Sequence, residues 1–327
     1  MNKSQRDNRL MRCAIFLFAV GSCLAAVIVG CRTASQTRQS SVTSSPVLKT
    51  DNSISYKGVS FTFDPSLASE VKPETLSEVT DGKPCDIVPE HPAFTFVGYP
   101  RPSSMADGDP YIRVFSLKKF RDAVGIASEE NRKSVVYPRD PPNWTMYFDE
   151  EVRVLRALLE KHPKSEGLRP LLVKVRSPEA RQFNDFPQMP FLPMLEASQA
   201  FFARPQYLRF KNGRGVFFLT QWNVSNTSQV TNSGLEYAFQ GLTDDGEFLV
   251  YAEFSVAVPF LPSDDNSEVV AWNEKNYLLP QNSKTYQAYL RPIVEKLQMM
   301  PSDQFRPNLK MLEQLITSME VKPETNG

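Results

Sequence analysis

Two pairs of adjacent aspartates, Asp244-Asp245 and Asp264-Asp265, have the residue types to bind a divalent cation. Carboxylate oxygens are the preferred ligands of calcium, so either pair could contribute to a calcium site. Asp244-Asp245 is followed by Gly246, however, and this composition is also what a tight turn between strands requires. A third pair, Glu150-Glu151, falls at the start of a predicted helix, where we expect a solvated position. We therefore predict a turn at Asp244-Asp245, and no metal site.

The two histidines, His91 and His162, do not fit a metal or catalytic motif. They fall in different predicted elements and lack the H-x-x-H or H-E-x-x-H spacing of a zinc site. His162 ends a predicted helix, where the helix dipole favours it, and His91 falls in a predicted loop, where we expect it at the surface. The sequence also lacks a G-x-S-x-G elbow, a Walker loop and a G-x-G-x-x-G motif. We predict no cofactor.

A thiol stands at the end of an apolar N-terminal segment. Residues 1–12 carry four basic side chains and one acidic one, and residues 14–30 carry no charge. The basic residues keep the N-terminus in the cytoplasm while the apolar run enters the translocation machinery. As a helix this run spans roughly 25 Å, against about 30 Å for a hydrocarbon core. It therefore fits either a cleaved signal peptide or a permanent anchor.

The end of the run, Ile28-Val29-Gly30-Cys31, resembles the lipobox of bacterial lipoproteins. The resemblance implies cleavage between Gly30 and Cys31 and lipidation of the Cys31 thiol. The alternative is a signal anchor that happens to end in cysteine. Arg32 stands where an aspartate would act as a retention signal. The resemblance thus implies a lipid-anchored protein on the extracytoplasmic side of a bacterial membrane, and of the outer membrane if the host has one.

Processing at this position would leave one cysteine in the body of the protein. Cys13 and Cys23 fall in the predicted signal peptide and Cys31 carries the lipid, so Cys85 remains. An intramolecular disulfide is then impossible. Cys85 is a reactive thiol, half of an intermolecular bridge or, as we expect, a partly buried small residue in a loop.

Composition divides the chain into four segments. We predict a signal peptide over residues 1–30, a disordered tether over 31–53, a single globular domain over 54–322 and a disordered tail over 323–327. The tether is rich in Ser and Thr, so it cannot bury enough surface to offset its ordering entropy. From Cys31 onward the chain carries 33 basic and 36 acidic residues, a balance that argues against a nucleic-acid partner.

Two hairpins form the best-defined unit of the predicted domain. Residues 206–210 and 215–222 flank Asn212-Gly213, and residues 235–242 and 247–258 flank Asp245-Gly246. Both dipeptides are strong hairpin signals, so four antiparallel strands are predicted. Alternating patterns predict further strands at 56–63, 93–99 and 111–117, with loops at 73–92 and 99–110.

Apolar residues three and four positions apart predict helices over 118–124, 149–162, 283–299 and 305–319. Val321 could add a final strand. The proline-rich residues 186–193 cannot form a regular element and are expected to cover the sheet. Large aromatic side chains alternate along the strands, which predicts a sheet covered on both faces rather than a pocket: Phe201, Phe202, Phe217, Phe218, Trp222, Tyr237, Phe239, Phe248, Tyr251 and Phe254.

Residues 54–71, 189–223 and 237–262 resemble a family of uncharacterised bacterial secreted proteins and lipoproteins, over most of residues 54–320. This resemblance implies no activity. Gly58-Val59-Ser60-Phe61, the antiparallel sheet and the closing helix before Val321 are similar to the PsbP-like fold, although Pro65 comes late and the prolines at 178–193 depart from it. The second resemblance implies an α/β/α sandwich and carries no function.

These observations predict an α+β protein with an antiparallel β-sheet built from hairpins and covered by helices. The predicted function is a non-enzymatic binding or assembly-accessory module that is held to the membrane by the lipid on Cys31 and engages a protein, a glycan or a small ligand. The alternative is an extracytoplasmic hydrolase whose Asp/Glu pair is brought together by the fold. Two carboxylates about 5–10 Å apart in a cleft favour the enzyme, whereas a shallow apolar patch favours the binding module.

Overall fold

Strands and helices follow one another in blocks along the chain. The computed structural model describes residues 52–80, 86–100, 109–133, 144–176, 188–193, 197–223, 227–263, 266–276 and 279–323. The strands in these ranges are β1 (Ser53–Tyr56), β2 (Val59–Thr62), β3 (Glu70–Leu76), β4 (His91–Val97), β5 (Tyr111–Ser116), β6 (Ser198–Phe210), β7 (Gly213–Asn223), β8 (Glu236–Thr243), β9 (Phe248–Ser255) and β10 (Glu320–Val321). The helices are α1 (Leu117–Lys133), α2 (Trp144–Lys161), α3 (Ser165–Val175), α4 (Ser267–Asn276), α5 (Lys284–Met299) and α6 (Leu309–Thr317), with a 3₁₀ turn at Ser302–Gln304.

Two antiparallel sheets organise these elements. Seven strands form the main sheet in the order β3-β4-β5-β9-β8-β7-β6, and three form a small sheet in the order β1-β2-β10. Helices and antiparallel strands are both abundant, so the predicted α+β class is confirmed. None of the described helices has the length and apolarity needed to cross a membrane.

Both predicted hairpins of the main sheet are present. Strand β6 ends at Phe210 and β7 begins at Gly213, so the turn contains Asn212 as expected. Strands β8 and β9 are joined through Gly246, which has a φ of 72° and donates to the carbonyl of Thr243 at 2.8 Å. Glycine adopts this left-handed conformation without steric cost, which explains why the Asp-Gly sequence predicts the turn.

Two hydrophobic cores lie on opposite faces of the main sheet. The first face, called here the helical face, packs against α1, α2, α3 and residues 188–193, with Phe115, Leu155 and Phe218 in its core. The second face packs against the small sheet, α5 and α6, with Phe61 and Phe217 in its core. The prediction that the aromatic sheet is covered on both faces is therefore confirmed, and the proline-rich segment is part of the cover.

The small sheet joins the beginning and the end of the described chain. Residues 56–63 do not form the single predicted strand, because Lys57 and Gly58 make a turn that pairs β1 with β2. Gly58 has a φ of 76°, and a Cβ atom there would lie 2.2 Å from the carbonyl oxygen of Lys322. Val321 pairs with Val59 in β10, so the predicted final strand is confirmed. Strand β1 begins at Ser53, within the residues predicted as tether.

Several elements differ from the sequence-based expectations. Residues 73–92 are not one loop, because β3 extends to Leu76 and β4 begins at His91. Strand β3 is at the edge of the main sheet, where Pro73 is tolerated. Helix α1 extends well beyond the predicted 118–124, and α3 and α4 are additional. In α3 the buried Leu168 and Leu172 hold the helix against the core despite an internal proline.

Candidate functional site

Two glutamates lie side by side on the helical face, at the end of the main sheet remote from its two tight turns. Glu236 begins β8, and Glu253 is near the end of β9. The register places Glu253 opposite Ala238 on one side and opposite Tyr111 on the other. Since residues directly opposite one another share a face and alternate residues of a strand do too, Tyr111, Glu236 and Glu253 point to the same side.

The indole of Trp222 joins the two carboxyl groups. Its Nε1–H donates to Glu236 Oε2 at 2.9 Å and to Glu253 Oε1 at 3.1 Å. The hydroxyl of Tyr111 donates to the other oxygen of Glu253 at 3.0 Å. The shared donor places the two carboxyl groups close together. We refer to Glu236, Glu253, Trp222 and Tyr111 as the glutamate pair site.

This arrangement changes the acidity of the pair. Burial raises the pKa of Glu236 well above its usual range, and the charge and hydrogen bond of Glu253 raise it further. Two neighbouring carboxylates cannot both ionise readily, so Glu236 keeps its proton to a pH at which an isolated glutamate has lost it. Glu236 and Glu253 are both partly exposed residues.

Aromatic rings surround the pair on the helical face. The ring of Phe191 lies 4.2 Å from that of Trp222 and meets the ring of Tyr251 edge-on at 5.3 Å. The hydroxyls of Tyr251 and Tyr111 are 3.2 Å apart. Burial, and then the charge of Glu253, raises the pKa of both tyrosines. Both hydroxyls therefore stay protonated, and Tyr111 remains a donor to the pair.

A buried ion pair fixes the segment that carries Phe191. Arg176 contacts Glu151 of α2 at 2.5 Å, with both side chains less than one-seventh exposed. Glu151 also accepts a hydrogen bond from the backbone N–H of Phe191 at 3.1 Å, and Arg176 donates to the carbonyl of Gln188 at 3.2 Å. The expectation that Glu150-Glu151 is a solvated pair is therefore wrong. The helical pattern of the sequence does not show that Glu151 forms a buried ion pair with a residue outside its own helix.

Arg113 and His91 extend the polar cluster along the same face. The guanidinium carbon of Arg113 lies 4.3 Å from the centre of the Tyr111 ring, and its buried Nε has no hydrogen-bond partner among the described residues. His91 is 2% exposed rather than at the surface as predicted, because it begins β4 and packs on Phe115 at 4.3 Å. Burial lowers the pKa of His91 to about 4, so the imidazole is neutral at pH 7.

The aspartate pairs and the histidines that the sequence singled out do not form this site. Asp245 accepts hydrogen bonds from the Thr243 hydroxyl at 2.5 Å and the Glu247 N–H at 2.9 Å, and Asp244 pairs with Arg209 at 2.8 Å. These contacts are those of a turn, as predicted. The ring of His162 packs 4.8 Å from that of Tyr207. Within the described ranges, no group of three or more His, Cys, Asp or Glu side chains is arranged to hold a metal ion.

Several predicted residues lie outside the described ranges. They are Asp264-Asp265, the predicted cleavage residues Gly30 and Cys31, and the single body cysteine Cys85. The lipidation of Cys31 and the role of Cys85 therefore stay predictions.

A signal for part of the site was present in the sequence. Counting outward from the turn at Gly246 pairs Leu242 with Leu249, and continuing the count pairs Ala238 with Glu253. Glu236 then falls two positions further along the same face. Trp222 and Tyr111 could not be placed this way, because long connections separate their strands from this hairpin.

Comparison with known proteins does not extend these observations. No protein-family model, no curated protein and no solved structure matches this chain.

Proposed function

We propose that the chain is a lipid-anchored protein on the extracytoplasmic side of a bacterial membrane, and that its body binds a ligand at the glutamate pair site. The anchor is supported by Ile28-Val29-Gly30-Cys31, which follows a basic and then an apolar segment. Twenty residues separate Cys31 from Asn52, where the described body begins. As a flexible tether, a segment of this length reaches roughly 25 Å, enough to hold the body near a membrane surface.

The shared N–H of Trp222 is the observation that supports a binding site. It holds Glu236 and Glu253 together, although placing two acidic groups side by side at a half-buried position disfavours their charged forms. Replacing buried charged groups with apolar residues of similar size is often neutral or stabilising, so stability alone does not explain two glutamates at this position. A partly exposed residue whose carboxyl pKa is perturbed, as that of Glu236 is, is characteristic of functional sites.

A hydrolase is the second candidate, and the same pair favours it. A protonated carboxyl beside a carboxylate supplies a general acid and a general base. The two oxygens bound by Trp222 are each about 3 Å from Nε1, however, so they lie no more than about 6 Å apart. Inverting glycosidases need about 6.5–9.5 Å between their carboxyls to hold a water molecule, and retaining enzymes need about 5 Å. The spacing is too short for an inverting mechanism, and binding, which requires no particular carboxyl separation, is the function we propose.

A stability measurement tests the site without knowledge of its ligand. Glu236→Gln keeps the shape of the side chain and removes the acidic group, and the exposed turn variant Glu247→Gln is the matched control. We expect the thermal midpoint of Glu236→Gln at pH 7.5 to equal or exceed that of wild type. A fall of more than about 4 °C, or roughly 1 kcal/mol or more, would assign the pair a structural role and contradict the proposal.

Metabolic labelling with an alkyne analogue of palmitate tests the anchor. Wild type and Cys85→Ser are expected to incorporate the label, and Cys31→Ser is expected to lose it. Label retained in Cys31→Ser, or absent from wild type, would contradict lipidation at Cys31 and leave the signal anchor as the explanation of the apolar segment.

A further inference from the structure

We propose that the glutamate pair site binds a neutral, polyhydroxylated ligand, namely a short saccharide. This inference rests on the binding function proposed above and specifies the class of ligand. It is carried by unpartnered donors that lie beside the pair, by the balance of charge and by the surrounding rings.

The pair supplies acceptors for hydroxyl groups. The oxygens of Glu253 accept from Trp222 and Tyr111, and Glu236 accepts from Trp222 through one of its oxygens. Each carboxyl oxygen has lone pairs for more than one hydrogen bond, so capacity remains on the solvent side of the pair. A ligand hydroxyl can donate to it without displacing the internal bonds.

Two buried donors lie beside the pair without a described partner. The first donor is Nε of Arg113, which is two residues after Tyr111 in β5 and therefore on the same face of the sheet. Gln199 is directly opposite Trp222 in the register and is 1% exposed. Its Oε1 accepts from the Met189 N–H at 2.9 Å, while its Nε2 has no partner. A buried donor without an acceptor is destabilising until an acceptor is supplied.

Hydroxyl groups match this mixture better than a charged ligand does. A hydroxyl donates and accepts at once, so neighbouring hydroxyls of a sugar can bond to carboxyl oxygens and to N–H groups together. Burial favours the neutral form of Glu236, and the guanidinium of Arg113 contributes a positive charge near Tyr111. An amine would be repelled by Arg113 and an anion by the pair, so a neutral ligand fits best.

The aromatic rings suit the apolar side of the same ligand. Trp222 and Tyr111 are partly exposed, and the buried Phe191 supports the ring of Trp222 from the helical face. The C–H groups of a sugar ring present apolar surface between its hydroxyls, and burying this surface against aromatic rings is favourable. The polar and apolar parts of the site therefore serve one ligand.

Titration calorimetry with three probes tests the inference: the N-acetylglucosamine trimer, the glucose trimer and the diamine cadaverine. The protein is the chain from residue 32 onward, compared with Glu253→Gln, Arg113→Met and Tyr111→Phe. Arg209→Met, which removes an exposed arginine paired with Asp244, is the control. Far-ultraviolet circular dichroism establishes that each variant is folded.

We expect at least one trisaccharide to bind with a Kd below about 10 mM, and cadaverine to bind more weakly. Glu253→Gln and Arg113→Met should each weaken binding about tenfold, whereas Arg209→Met should leave it unchanged. Tyr111→Phe keeps the ring, and its affinity for the sugar should fall about threefold. This variant still tests the inference if Arg113→Met fails to fold.

Three results would overturn the inference: no trisaccharide binding, tighter binding of cadaverine than of either sugar, or equal sugar binding by folded wild type and Glu253→Gln. The unfolding experiment on Glu236→Gln is independent of these. An undiminished midpoint without sugar binding would contradict the ligand class alone, whereas a lowered midpoint would contradict the functional site itself.

Discussion

The Tyr111 hydroxyl donates a hydrogen bond to Glu253 at 3.0 Å, and the two residues are directly opposite each other in the adjacent strands β5 and β9. The register of β5 and β9 therefore sets the orientation of the carboxyl. Trp222 reaches the same carboxyl from the far side of β8. The acidic pair is thus held by backbone pairing on both sides.

Replacing Trp222 with phenylalanine should destabilise the protein. The variant keeps a ring but removes the N–H that both carboxyls accept, which leaves half-buried acceptors unsatisfied at a cost of about 1–3 kcal/mol. Urea unfolding at pH 7 measures the effect. Trp272→Phe, at a partly buried indole that packs on Tyr289 at 4.8 Å, is the control for ring size alone. Equal losses in the two variants would argue against a bridging role for Trp222.

The stability contributed by Glu236 should fall as the pH rises. Its folded pKa lies well above its unfolded value of 4.5, so between these values the unfolded state has released a proton that the folded state retains. Stability is then full below the unfolded pKa and is lost as the pH rises through the folded one. The advantage of Glu236→Gln over wild type should accordingly grow from about pH 5 to pH 8 in urea titrations. A constant difference would show that the folded pKa is ordinary.

His91 should have the opposite dependence. Its folded pKa of about 4 lies below the ordinary 6.5, so the unfolded state takes up a proton that the folded state refuses between these values. Stability is lost as the pH falls through this window, by up to about 3 kcal/mol below pH 4. His91→Gln does not titrate, so its free energy of unfolding should change less with pH than that of wild type. A curve for His91→Gln that matches the wild-type curve would contradict the burial argument.

Replacing Glu151 with glutamine should loosen the cover over the glutamate pair site. The variant leaves the buried Arg176 without its anionic partner and weakens the bond to the Phe191 N–H. Breaking a buried ion pair in this way costs about 3–5 kcal/mol. Asp149→Asn breaks the exposed pair with Arg121 at 2.8 Å and should cost less than about 1 kcal/mol. Guanidinium unfolding measures both, and similar losses would contradict the role given to Glu151.

Local sequence chemistry predicts the centre of the fold well. Asn212-Gly213 and Asp245-Gly246 mark the two hairpins, as expected of such dipeptides. The second turn uses left-handed backbone at Gly246, whereas neither Asn212 nor Gly213 has a positive φ. The small sheet is harder to predict, because β10 has only two residues and pairs with Val59 and Ser60 about 260 positions earlier. Strand β3 is hard to predict because it contains Pro73. A proline is tolerated there because β3 is an edge strand, which is known only once the sheet order is known.

The candidate site depends on relations that a sequence does not display. Glu236 and Glu253 could be placed on one face by counting from their turn, whereas the partners that define their chemistry come from β5 and β7. His91 illustrates the same limit. A polar residue between Glu90 and Pro92 is typical of a surface loop, and only the pairing of β4 with its neighbours brings it into the core.

The contact between Gly58 and Lys322 has a consequence for the order of folding. Lys322 donates its backbone N–H to the carbonyl of Gly58 at 2.8 Å, and Val321 pairs with Val59. The hairpin of β1 and β2 is synthesised first, and its third strand emerges from the ribosome more than 250 residues later. The small sheet is therefore completed only after synthesis has passed Val321, which makes it a late, high-contact-order step. Chains truncated before Glu320 should leave β2 as an open edge, exposed to pairing with other chains.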